Sequence, residues 1–152
     1  NISLRQVAQA LAELDSDYRV ENVAYDRYAF RRFEEEVSEL GLSVNFIEHP
    51  QGGTKRGKPQ DGMSEGLWMP GSLRHLEELI LEGRIRLKRN PVLISAMMSA
   101  VTETDRWDNK WLSKQRAINK IDAAVALCMA VGAAMAGDTS GLIDDWLKSL
   151  HA

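Results

Sequence analysis

The chain has 152 residues, 44% of them apolar and 27% charged, the balance of an ordinary globular protein with enough length for one sizeable core. A net charge of −3 removes any argument for a nucleic-acid partner from bulk electrostatics, so such a contact must come from local basic clusters. The single cysteine, Cys128, excludes an internal disulfide and fits a small core residue in a cytosolic protein.

In chain order, Leu4, Val7, Ala8, Leu11 and Leu14 recur at helical spacing, which predicts an amphipathic first helix. Ser3, three residues before Gln6, is its expected N-cap in a capping box. Asp15-Ser-Asp17 is expected to break that pattern, and Val20 to Tyr25 reads as a strand. A helix is predicted from Tyr28 to Leu40, with Phe30, Phe33, Val37 and Leu40 inward and Gly41 as its stop. Leu42 to Ile47 is a second short strand, and helix following strand points to an α/β arrangement.

From Pro50 to Gly66, glycines alternate with Lys55, Arg56 and Lys58, the composition of a mobile basic loop. A helix returns from Pro70 to Gly83 on an apolar face of Leu73, Leu76, Leu79 and Ile80. Ile85 to Leu87 reads as a brief strand. Pro91 suits the first turn of a helix reaching about Ala100. Val101–Trp107 and Lys110–Lys114 read as a hairpin around Asp108-Asn109, followed by a long helix from about Ile118. A short amphipathic segment holding Leu142, Ile143, Trp146, Leu147 and Leu150 closes the chain. The whole, residues 1–152, reads as one domain with a helical tail from 137. The run from Ile121 to Gly137 is short, rich in alanine and interrupted by Asp122, so it reads as a core helix rather than a membrane span.

Asp122 is the only charge in that run. A carboxylate buried there needs compensation, which a helix N-terminus supplies in part and a bound cation supplies better. Asp26, directly after the first strand, is the second candidate. Two acids on rigid elements suggest a divalent-metal site. The alternatives stay open: Asp26 can cap the 28–40 helix, and Asp122 can be an exposed first-turn acid. Lys55, Arg56 and Lys58 suit phosphate contacts or a solvated loop. Lys110, Lys114, Arg116 and Lys120 form a second basic set leading to Asp122. Trp107 and Trp111 can stack on bases, although packing within the domain is the commoner use. His49, His75 and His151 lack zinc-ligand spacing, and neither a Walker loop nor a nucleophile elbow occurs.

Ala24-Tyr-Asp-Arg-Tyr28, Leu76-Glu-Glu-Leu-Ile-Leu-Glu-Gly-Arg-Ile-Arg86, Asn90-Pro-Val-Leu93 and Lys120-Ile-Asp-Ala-Ala-Val-Ala-Leu127 follow one another here. That ordered series resembles the C-terminal nuclease domain of the terminase large subunit, the DNA-packaging motor of tailed bacteriophages and prophages. The resemblance runs from the first helix to about Ala136. It implies an RNase H-like α/β fold, a central mixed sheet flanked by helices. It also implies an endonuclease that cuts concatemeric double-stranded DNA with two Mg²⁺ or Mn²⁺ ions. By the same resemblance Asp26 and Asp122 are catalytic metal ligands, and Asp105 and Asp108 lie in a hairpin near the site. Lys55, Arg56, Lys58 and Lys114 are the expected contacts to the DNA backbone.

The family's first metal-binding Asp sits on an opening strand upstream of the first helix, and this sequence begins at that helix. The expectation is therefore a domain shortened at its N-terminus, lacking one ligand and part of the sheet. The implied partners are the terminase ATPase domain, the small terminase subunit and the portal, in the bacterial host cytoplasm and with no membrane. The alternative function is a non-catalytic docking or assembly module that keeps the nuclease fold.

Overall fold

The structure is a computed structural model that describes residues 3–27, 30–52 and 67–150, with the backbone alone for 137–150. It divides into two compact units, Asn1–Glu48 and His49–Ala152.

In the first unit, helix α1 (Leu4–Tyr18) opens on Ser3, whose hydroxyl accepts from the Gln6 amide while Gln6 Oε1 accepts from the Ser3 amide. Both arms of the capping box are thus made, satisfying two amides that have no partner inside the helix. Asp15-Ser-Asp17 does not break α1. Asp15 instead fastens its end, taking the Arg19 amide on its carbonyl and the Val20 amide on its carboxylate, and Arg19 makes the turn at φ 44°. Strand β1 is consequently shorter than the sequence suggests, Asn22–Tyr25.

Helix α2 (Phe30–Glu39) ends at Gly41, φ +69°, where a side chain would be strained. Strand β2 (Asn45–Glu48) then pairs parallel to β1, with Val23 opposite Phe46 and Tyr25 opposite Glu48. Ala8, Leu11 and Val37 are the buried centre, with Val20, Val23, Phe33, Leu42 and Phe46 packed around them.

In the second unit, α3 (Met69–Leu81) packs on both α5 (Asp122–Leu150) and strand β4 (Lys110–Leu112). Helix α4 (Pro91–Ser99) lies on α5, and Asn90 caps it by accepting from the Val92 and Leu93 amides. Strand β3 (Thr102–Thr104) pairs antiparallel with β4. Buried Met69, Leu73, Leu76, Ala96, Leu112, Ile121, Val125, Cys128 and Ala133 make the core.

Three expectations differ from the structure here. Ile85–Leu87 is not a strand, because no described strand lies beside it to complete a ladder. The last helix begins at Asp122 rather than near Ile118, since residues before it fold back in turns closed on Ser113. It then runs unbroken to Leu150. One interior glycine costs a helix about 1 kcal/mol, too little at Gly137 to divide so long a cooperative ladder. The segment from Leu142 to Leu150 therefore continues α5, and its side chains lie outside the described residues. No helix among the described residues is long and apolar enough to cross a membrane.

Candidate functional site

Asp122 stands at the first residue of α5, and the Ile121 carbonyl accepts the first intrahelical bond from Val125. Ile121 is buried and anchors the helix start, which turns the next side chain outward. The Asp122 carboxylate is 66% exposed, so the burial expected from its apolar neighbourhood does not occur. Its charge is instead stabilised from outside: Lys114 Nζ lies 2.8 Å from Oδ1. That hydrogen bond and the Lys114 charge, with help from Lys120, hold the carboxyl below its usual range. The helix dipole acts in the same direction. Asp122 is therefore ionised and solvent-facing, with Oδ2 left over for another ligand.

The β3–β4 hairpin leads into this site. Its base is tied by Glu103, which accepts from Ser113 Oγ and pairs with Arg116 at 3.3 Å. At its tip Asp105 is spent on the turn. Its carboxylate accepts from the amides of Trp107 and Asn109 and from Asn109 Nδ2. The Asn109 side chain does most to push its pKa down. Asp108 takes φ 63° to close the turn. The structure thus gives both acids a place in the hairpin's backbone and brings neither to Asp122 by any hydrogen bond. Trp111 is half-buried as expected, but Trp107 is 67% exposed, which corrects the expectation that it packs.

Asp26 directly follows β1 at the carboxyl end of the parallel β1–β2 pair, the end where open α/β sheets place their ligands. It is exposed, and among the described residues its carboxylate has no hydrogen-bond or ionic partner. It does not cap α2 among them; the Phe30 amide bonds to the Arg27 carbonyl. The residue before it, Tyr25, is fixed by ring packing. Tyr25 stacks on Phe30 with centroids 3.5 Å apart, and Phe46 meets both edge-on. Burial and the nearby Glu48 and Glu34 raise the Tyr25 pKa, keeping it neutral. Glu48, opposite Tyr25 in the register, is a second acid at this strand end and pairs with Arg27. No motif in the sequence marks it; its strand-end position is the one signal.

One pairing with catalytic chemistry proves to be structural. His49 Nε2 and Ser72 Oγ are 2.7 Å apart, and both residues are fully buried. His49 Nδ1 faces the Pro50 carbonyl at 3.1 Å, which can only accept, so Nδ1 carries the proton and Nε2 accepts from the serine. No substrate reaches that oxygen. Cys128 is equally sealed, its thiol pushed up to about 11 by burial, and is no nucleophile at neutral pH.

The donor chemistry of Asp26 and Asp122, hard carboxylate oxygens, suits Mg²⁺ or Mn²⁺. Among the described residues, however, no three His, Cys, Asp or Glu side chains stand together as a metal cage. Lys55, Arg56 and Lys58 lie outside the described residues.

Comparison with known proteins agrees with these features. The family model "Terminase large subunit, endonuclease domain" matches residues 1–138. The terminase large subunit of Enterobacteria phage HK97 is 32% identical over 143 residues, which cover 93% of this chain and 26% of that protein. Protein YmfN of Escherichia coli (strain K12) is 34% identical over 83 residues, covering 53% of this chain and 18% of that protein. The crystal structure of the HK97 bacteriophage large terminase superposes with a TM-score of 0.73 at 30% identity, over 87% of this chain and 25% of that one. The architecture is α/β and consistent with an RNase H-like fold. The chain belongs to the terminase large subunit endonuclease domain family. It spans about a quarter of the length of the HK97 relative.

Proposed function

We propose that this chain is the metal-dependent endonuclease portion of a viral DNA-packaging terminase, cutting concatemeric double-stranded DNA in the host cytoplasm. The observation that carries the reading is Asp122: an ionised, outward carboxylate fixed at a helix start and flanked by cations, in a chain of this family. The family match runs through both compact units, which supports treating them as parts of one nuclease domain.

In this reading Asp26 and Asp122 are the residues that would each give carboxylate oxygens to Mg²⁺ or Mn²⁺, with water or further carboxylates completing the shells. Bound there, such ions would supply an activated water and stabilise the charge on the leaving oxygen. The chain's own contribution is placement. The aromatic stack holds Tyr25, the residue that leads into Asp26, and buried Ile121 precedes Asp122 at the head of α5. Lys114 pairs with the Asp122 carboxylate in the absence of an ion and, were an ion to take its place, would be free to meet a backbone phosphate. Lys55, Arg56 and Lys58 are assigned to the same backbone, contacts that position DNA without reading sequence. The ATPase domain, small terminase subunit and portal are the protein partners this role calls for.

The test is Mn²⁺-dependent nicking of supercoiled plasmid by this chain beside Asp122→Asn. Nicking that the substitution removes supports the nuclease. A folded chain that never nicks, at any Mn²⁺ concentration, favours the alternative of a docking module that keeps the fold.

A further inference from the structure

Between residues 106 and 120 the sequence carries five cations, Arg106, Lys110, Lys114, Arg116 and Lys120, against one acid, Asp108, in a chain whose total is −3. Lys114 is committed to Asp122 and Arg116 to Glu103, while Lys110 and Lys120 are exposed, Lys120 acting on Asp122 through its charge without a close ion pair. At the far end of this strip the Arg106 guanidinium carbon sits 3.8 Å from the centroid of the Trp107 ring. That contact covers part of the indole and leaves the residue 67% exposed. An indole held open to water on a turn already fixed by three hydrogen bonds to Asp105 contributes nothing to the core. It is, however, preorganised to meet a flat apolar surface beside negative charge.

From this geometry, and resting on the nuclease reading above, we infer that the hairpin tip is a DNA-positioning element and that Trp107 makes a direct aromatic contact with the duplex. Arg106 orients the indole and Lys110 and Lys120 draw the backbone alongside. The tip itself is close to neutral, Arg106 against Asp108, so its contribution is ring contact with base or sugar rather than phosphate clamping. Reach is adequate. Lys114 is seven positions beyond Trp107, at most about 25 Å of extended chain, and one helical turn of duplex is about 34 Å long. The tip and Asp122 can therefore engage the same stretch of DNA.

The experiment is anisotropy of a labelled short duplex titrated with this chain at fixed salt and without divalent ions, so that binding is read apart from cleavage. Trp107→Ala should weaken binding about 5-fold, the order expected for losing one aromatic contact. Its salt dependence should not change, because no cation is lost. Trp107→Phe should keep most of the affinity, and Arg106→Ala should lower affinity, through the freed indole, with little change in salt slope. Unaltered binding by Trp107→Ala, or no duplex binding by the unmutated chain, overturns the inference. Circular dichroism checks folding, and if Trp107→Ala fails to fold, a Phe variant that binds as poorly as an unfolded chain also overturns it. A chain that binds through Trp107 yet never nicks with Mn²⁺ leaves this inference standing and sinks the nuclease. One that nicks but ignores Trp107 does the reverse.

Discussion

Helix α5 behaves differently at its head and ten residues further on. At Asp122 the helix faces water, and the carboxylate is held by one lysine. At Gly132 it is pressed so closely on α3 that an added Cβ would stand 2.1 Å from Ser72 Oγ and 2.9 Å from His49 Nε2. Chemistry at the open end therefore rests on charge and can be removed without harming the fold. Packing at the closed part rests on shape and can be harmed without touching the chemistry.

The largest effect should come from the open end. Asp122→Asn keeps the size of the side chain and removes the charge. Nicking should fall roughly 100-fold or more, since losing even an outer partner of a metal ligand costs about 10–100-fold. The melting temperature should hardly change, because exposed pairs contribute about 0–1 kcal/mol. Asp26→Asn should behave alike in the first unit. Equal losses of activity and of melting temperature would break the distinction.

Gly132→Ala probes the closed part. Alanine is favoured over glycine in a helix by about 1 kcal/mol, so an open site would gain stability. Here the methyl meets a serine whose rotation breaks its bond to buried His49, and overpacking of this kind costs about 1–3 kcal/mol. Net destabilisation in urea titration is expected, and a stabilised variant would show that the helices can part. Cys128, on the same sealed stretch, should react with a thiol reagent only as fast as the protein unfolds. Rapid labelling of the native chain would contradict its burial.

This division also explains what the sequence made legible. Periodicity located α1, α2 and α3, Pro91 located the start of α4, and turn chemistry located the hairpin, because those signals are local. Ser3 and Gln6 announced a cap that the structure makes in full. Asp15 is not legible from sequence because an acid that ends a helix by accepting amides beyond it resembles one that breaks it. The exposure of Asp122 was hidden for another reason. Its neighbours in sequence are apolar, but they point inward on α5 while Asp122 points out, and composition does not record direction. Trp107 and Trp111 are a similar case, two like residues on one hairpin of which only Trp111 finds a surface to cover it. The His49–Ser72–Gly132 contact joins three distant positions and leaves no local trace at all.

The smallest effect is the most specific test of how the open end works. Lys114 lowers the Asp122 pKa. A carboxyl depressed in the folded state adds stability that is present above its unfolded pKa of about 3.9 and is lost as pH falls through the lower folded value. Because the pair is exposed, that contribution is slight and declines further with salt. Lys114→Met should therefore barely alter the melting temperature at neutral pH. It should raise the Asp122 pKa, seen as a carboxyl carbon titrating at higher pH by NMR. Mn²⁺ affinity tells the two roles of the lysine apart. If Lys114 competes with the ion for Oδ1, removing it tightens binding even as DNA affinity drops. If Lys114 only keeps the acid ionised, metal affinity at neutral pH stays the same, since the carboxylate is charged there with or without it.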